Sequence, residues 1–128
     1  MAFGDIGGPV TELVITCKTD PRGGVNIAKG DAVALADNYE VCNRIIAPVI
    51  GQALTNTTAS GVAIPVRVKG VSIFRYTGQL PLSVFAAYIY GIGVVISSQE
   101  PGAVEFSEKG TGKILAFDLD SKTVHVLH

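Results

Sequence analysis

Few side chains in this sequence are equipped for acid–base, nucleophilic or metal chemistry, and their spacings keep them apart. There are two histidines and two cysteines in 128 residues. His125 and His128 are three positions apart, so on a strand they point to opposite faces and cannot grip one metal ion without a bend. His128 is expected to be solvated. Cys17 and Cys42 match no zinc or redox spacing and are expected to be reduced, half-buried small hydrophobes. Asp118 and Asp120 could share a face, but a hard cation asks for about six oxygens or more. The neighbouring sequence supplies no such set, so a solvated turn is the expectation. Lys109-Gly110-Thr111-Gly112-Lys113 looks like part of a phosphate loop. The pattern fails at Ser107, where it needs glycine, and at Ile114, where it needs Ser or Thr, which leaves a hairpin loop. Gly91-Ile92-Gly93 opens a dinucleotide fingerprint whose third glycine is replaced by Ile96. No Gly-x-Ser-x-Gly elbow is present. A triad assembled from distant residues stays open, because sequence spacing does not report spatial distance. The expectation is a protein that is not an enzyme, with no metal and no cofactor.

Composition narrows the partners. Hydrophobic residues make up 48% and charged residues 16% of the chain, against about 25% charged in average domains. A domain of this size cannot hide so much apolar surface alone, which predicts cover by a partner or by copies of itself. The net charge of −1 and the absence of a basic run argue against nucleic acid. The longest apolar stretch, Leu80 to Ile96, is broken by proline, glycine and serine and is short of a membrane span. Met1 to Gly8 lacks the basic start and apolar run of a signal peptide, which predicts synthesis in the host cytoplasm and no secretion.

The elements that would carry these residues are strands. Glu12 to Thr19 predicts one with Leu13, Ile15 and Cys17 on one face, followed by a turn over Asp20 to Gly24. Asp31 to Ala36 and the alternation of Tyr39, Val41 and Asn43 predict two more. Val49 to Leu54, a small polar loop, and Val62 to Phe74 read as strand, turn, strand. Here Val62, Ile64, Val66 and Val68 face inward while Arg67 and Lys69 face water. Pro65 cannot donate to a ladder, which predicts an edge or a bulge. Leu82, Phe85, Ala86 and Ile89 fall at helical spacing, with Pro81 in the first turn and Gly91 just past the end. A two-turn helix with that stripe as its face follows. Gly93 to Ser97, Ala103 to Phe106, Lys113 to Asp118 and Thr123 to Leu127 complete the strands.

At an offset of 61 residues, Gly30, Val33, Leu35, Gly51 and Leu54 match Gly91, Val94, Ile96, Gly112 and Leu115. The order of elements repeats as well, which predicts two related β units. The fold expected is all-β: a small antiparallel β-barrel or sandwich of about seven to nine short strands with at most two short helices and an internal duplication. Residues 1–9 are expected to be an extended N-terminal arm and residues 10–128 a single β domain.

The succession Lys29-Gly30-Asp31-Ala32-Val33, Pro48 to Leu54, Ile64 to Val71, Gly91 to Ile96, Gly112 to Leu115 and Val124 to Leu127 resembles the small phage head-decoration, or capsid cement, proteins. In that family a Gly-Asp-x-Val strand precedes a Gly-x-Ala strand and a Val-x-Val-x-Gly-Val strand, and the pattern partly recurs. This chain departs from it at Gly91-Ile92, where the family often has a second Gly-Asp, and in the more apolar Leu80 to Tyr90. The resemblance implies an all-β structural virion protein, favoured as a homotrimer. It would sit on the outer surface of an assembled phage capsid and bridge neighbouring major capsid subunits, with no catalytic residues. Two other classes remain open. One is a small ligand-binding or hydrolytic β-barrel. The other is a different virion component, such as a tail or fibre-base protein.

Two sets of contact residues are expected. Phe3, Asp5 and Ile6 lie in a glycine-rich arm with no regular element to bury the two apolar side chains, which suits contact with a capsid or a neighbouring copy. Leu82, Phe85, Tyr88 and Tyr90 are aromatic and apolar and suit an oligomer interface. Arg67 is expected to join them, since charges at interfaces fix register. Arg22, Arg44, Lys69 and Arg75 are spread among acids as ordinary solvated residues would be.

Overall fold

The computed structural model describes residues 12–22 and 26–128. Ten strands and one short helix make up the described chain, one strand more than the upper expectation. In chain order they are β1 (Leu13–Thr19), β2 (Ala32–Asp37), β3 (Glu40–Cys42), β4 (Gly51–Ala53), β5 (Ala63–Lys69), β6 (Val71–Arg75), α1 (Val84–Ile89), β7 (Gly93–Ile96), β8 (Val104–Ser107), β9 (Lys113–Asp118) and β10 (Thr123–Leu127).

The first five strands close into a barrel in the order β1-β3-β2-β4-β5. The alternation in β5 works as expected: Ile64 and Val66 are fully buried and Val68 half-buried, packed with Cys17, Val33, Val41 and Ala53. Their neighbours Ala63, Pro65 and Lys69 face outward. Pro65 is neither at an edge nor at a bulge. β5 pairs with β1 on one side and β4 on the other. The Pro65 carbonyl accepts from Leu54 N, just beyond the last β4 residue. The missing N–H faces the same side, at the very end of the β4 ladder, where it costs at most the one reciprocal bond to Leu54.

The last five strands repeat this wiring. In the first barrel β1 runs parallel to β3 with Thr19 opposite Val41. In the second set β6 leads to β8 with Tyr76 in a parallel bridge to Val104. The antiparallel neighbours β3–β2, β2–β4, β4–β5 and β5–β1 recur as β8–β7, a Val94–Thr111 bridge leading into β9, β9–β10 and β10–β6. Inward positions correspond too: Ala53 opposite Val66 matches Ile114 opposite Val126. The second set stops short of closure, because two of its five joins are single bridges. The seam between β7 and β9 is filled by the extended segment Ala47 to Val49. Pro48 bridges Val95, Ile96 N donates to the Ala47 carbonyl, and the Thr111 hydroxyl donates to the Val49 carbonyl.

The two units share hydrophobic material. β2 sends Val33 into the first barrel and Ala32 and Ala34 into the second core, which also holds Phe74, Val94, Ile96, Val104, Val124 and Val126. The alternation of a strand with two buried faces is what permits this double use.

Four expectations are corrected. α1 is shorter than Leu80 to Tyr90: Ser83 caps it by accepting from Ala86 N at 3.0 Å, so Pro81 lies ahead of the first turn. Its buried face is Ala87 with Val84, not the stripe of Leu82, Phe85, Ala86 and Ile89. Leu13 is half-exposed, and the buried face of β1 is Cys17 and Thr19 with Ile15 half-buried. His128 is half-buried instead of freely solvated; its ring lies against Phe74 and its Nε2 is 2.7 Å from Ser72 Oγ.

Candidate interaction surfaces

α1 is held to β9 by a small footprint. Ala87 is 1% exposed, and Tyr90 N, Gly91 N and Ile92 N donate to carbonyls of Ala86, Tyr88 and Ala87 to end the helix. Gly91 takes φ +66°, the left-handed conformation that ends helices. Because the seat is shallow, the large side chains remain outside. Leu82 is 97% and Phe85 69% exposed, and Tyr88, Ile89 and Tyr90 are also exposed. Lys113 Nζ stands 5.8 Å from the Tyr88 ring centre, within range of a cation–π contact. Four of the expected interface residues, Leu82, Phe85, Tyr88 and Tyr90, thus stand together on one apolar projection.

Arg67 does not join them. It lies on β5 of the first barrel, where its Nε is 3.2 Å from Glu12 Oε2 and its Nη1 donates to Gln52 Oε1 at 2.9 Å. Its guanidinium is engaged within the chain, which explains why a charge next to a strand core is tolerated. Gln52 is buried and passes the connection on, donating through Nε2 to the carbonyls of Gly30 and Ile73 at 3.0 and 2.9 Å. Phe3, Asp5 and Ile6 lie outside the described residues.

A second polar group ties the barrels together. Asp31, 4% exposed, accepts from Arg75 Nη2 at 3.1 Å, Ala28 N at 2.9 Å and Asn43 Nδ2 at 3.0 Å. Arg75 also reaches Glu100 and the Pro101 carbonyl. The Gly-Asp pair of the sequence motif therefore serves as a structural anchor. Gly102 is required beside it: a Cβ there would stand 2.3 Å from the Asp31 carboxyl carbon, and the backbone has φ +81°.

The chemical candidates resolve as turns and core. Asp118 accepts from Asp120 N and Ser121 N, and the bond from Ser121 N, ahead of the Ser121 hydroxyl, holds its carboxyl below the ordinary range. The Lys109 to Gly112 loop connects β8 to β9, with Ser107 Oγ accepting from Lys109 N. Both cysteines are free thiols, Cys17 buried and Cys42 half-buried, and burial pushes the Cys17 thiol up. Among the described residues no three His, Cys, Asp or Glu side chains converge on a metal-sized site.

One feature escapes a reading of motifs. The end of the first barrel opens as an apolar mouth of about 870 Å³, lined by Ile15, Cys17, Leu35, Tyr39, Ile50 and Val68 among others. Tyr39 holds a left-handed φ of 53°, costly for a bulky residue. The signal was available in the repeat, but only once inward positions are matched through the pairings. Ile15, Cys17, Leu35 and Val68 then correspond to Ser72, Phe74, Ile96 and His128. Compared with protein-family models and with curated proteins, the chain matches none.

Proposed function

We propose that this chain is a structural protein of a phage virion, one that decorates the outer surface of an assembled capsid and bridges neighbouring major capsid subunits as a homotrimer. The observation that carries the reading is the apolar projection of α1, where five large side chains stand in water on a protein with few charges. Patches of this kind mark protein contacts. The order of small-residue motifs along the chain supports the same class. A decoration protein needs no catalytic group. It adds buried area across subunit junctions, and by binding only the assembled lattice it stabilises that state by mass action. A trimer multiplies a modest contact through avidity. In this reading Leu82, Phe85, Tyr88 and Tyr90 bury against neighbouring copies, and Phe3, Asp5 and Ile6 are the capsid contacts.

The test is co-sedimentation with expanded phage heads that lack their decoration protein, alongside sedimentation equilibrium of the chain alone. A trimer that saturates the heads is expected. Phe85→Asp is expected to give monomer and to weaken head binding by roughly a hundredfold, since a buried aromatic anchor is worth about 2–4 kcal/mol. Monomeric wild-type protein that ignores heads would overturn the reading.

A further inference from the structure

We propose that the apolar mouth of the first barrel receives the α1 projection of a second copy of this chain, so that copies join head to tail with Leu82 and Phe85 as the side chains that enter. The inference rests on the self-association in the capsid reading and deepens it, by naming what α1 is buried against. Two large apolar features are uncovered in the single chain, and their shapes are opposite. α1 is convex: Leu82, Phe85, Tyr88, Ile89 and Tyr90 stand out from a helix of six residues. The mouth is concave, about 870 Å³, with Ile15, Cys17, Ile50 and Val68 inside and the exposed Leu35 and Tyr39 at its rim. Pockets of about 300–1,000 Å³ bury a drug-sized ligand, so this one has room for a leucine and a phenylalanine side chain. No residue of α1 lines the mouth of its own copy. The helix is seated on β9 of the second unit, and the mouth opens in the first.

Chemistry, charge and backbone favour a second copy as the occupant. Ser83 to Tyr90 contains no charged residue, so little is lost when the projection leaves water. Opposite charges stand at the edges of the two features: Lys113 beside the Tyr88 ring and Asp37 in the lining of the mouth. Among the described residues neither makes an ion pair. Brought together at the border of one contact, they would fix its register. Tyr39 is 70% exposed and holds φ 53°, a conformation that Asn or Gly adopts at lower cost. A ring kept at the rim despite that strain is placed to pack on an incoming aromatic side chain. A two-fold contact of α1 on α1 would cover the projections and leave the mouth open, whereas the head-to-tail contact covers both. Such a contact closes into a ring when the rotation per copy divides the circle, and three copies is the ring that the capsid reading needs.

The experiment uses the full chain and two variants, each disabling one half of the contact. Phe85→Asp removes the projection and keeps the mouth. Leu35→Asp, at a residue 52% exposed, spoils the mouth and keeps the projection. In sedimentation velocity without phage heads, each variant alone is expected to be monomeric, with self-association weakened roughly a hundredfold. Their equimolar mixture is expected to give a dimer that grows no further. One intact projection then meets one intact mouth, and the remaining pair sets two carboxylates against each other. With methyl labels on the Phe85→Asp copy, resonances of Ile15, Leu35, Ile50 and Val68 are expected to shift in that mixture. Tyr39→Asn, which suits the left-handed backbone, is expected to weaken association about tenfold with an unchanged urea midpoint. A Leu35→Asp chain that assembles like wild type would overturn the inference and leave the self-association of the capsid reading standing. A mixture of folded variants that stays monomeric would overturn it as well. So would a monomeric wild-type chain whose native mass spectrum shows a co-purified small molecule, because the mouth would then have another occupant. Assembled rings that ignore phage heads would count against the capsid reading alone and support this contact.

Discussion

His128 lies between Phe74 and Ser72 beside β10 and is flanked by the exchanged backbone bonds with Gly70. Burial holds its imidazole below the ordinary value of 6.5; the Val68 carbonyl opposes this and the Arg67 charge adds to it. The folded chain therefore resists a proton that the unfolded chain accepts. Stability contributed by His128 is fully present above about pH 6.5 and is lost as pH falls through that value toward the lower folded pKa. Unfolding free energies from urea titrations between pH 7.5 and pH 5 should decline, through this group, with a slope of at most about 1.4 kcal/mol per pH unit, and His128→Phe should flatten that decline. An undiminished decline in the variant would remove His128 as its source. This residue illustrates the limit of reading a sequence locally. Three positions from His125 on a strand places it on the opposite face, as expected, but nothing local says that the face is the inside of a barrel.

The short helix teaches the same lesson about which face is buried. The spacing of Leu82, Phe85, Ala86 and Ile89, with Gly91 after them, correctly announces a helix. Its seat against β9 is too shallow for large side chains, and the small Ala87 fills it with Val84. Volume decides here, and periodicity does not register volume. Two substitutions separate the faces. Ala87→Glu should cost about 3 kcal/mol in chemical unfolding, from clash and an unpaired buried charge, whereas Phe85→Asp should change monomer stability by less than about 0.5 kcal/mol. Equal costs would mean that the exposed face contributes to the fold. The strands were easier to anticipate. β5 and β10 alternate, and β7 is an apolar run bounded by glycine. Pro65 misleads because a proline is excluded by the direction of its missing N–H, and the sequence does not show where a neighbouring strand ends.

At the level of the complete chain, the duplicated order of elements was visible in the offset of Gly30, Gly51, Gly91 and Gly112. The closure of one copy and the opening of the other were not. α1 and its flanks occupy the stretch between β6 and β7, the place that the connection from β1 to β2 takes in the first unit. The units do not stand apart. Ala32, Ala34 and Val49 pack into the second core, Gln52 reaches the Ile73 carbonyl, and Asp31 holds Arg75 across the join. Buried contacts and a half-buried ion pair of this kind make separate unfolding costly. The chain should therefore unfold in a single urea transition, coincident by circular dichroism and tyrosine fluorescence. Two transitions would mean that the join is weaker than its geometry implies.

The unequal closure of the two barrels bears on how densely the molecule can be crowded. A ring of hydrogen bonds that closes on itself has no spare edge, so β1 to β5 cannot template a foreign strand into a fibre. Among the described residues the exposed joins are the two single-bridge seams. One is occupied by Ala47 to Val49 and the other is bordered by Arg75 and Glu100. Charged borders and an internal strand are the devices by which sheet proteins resist stacking into cross-β aggregates. Copies crowded at high local density are thus kept from fusing their backbones into a common sheet.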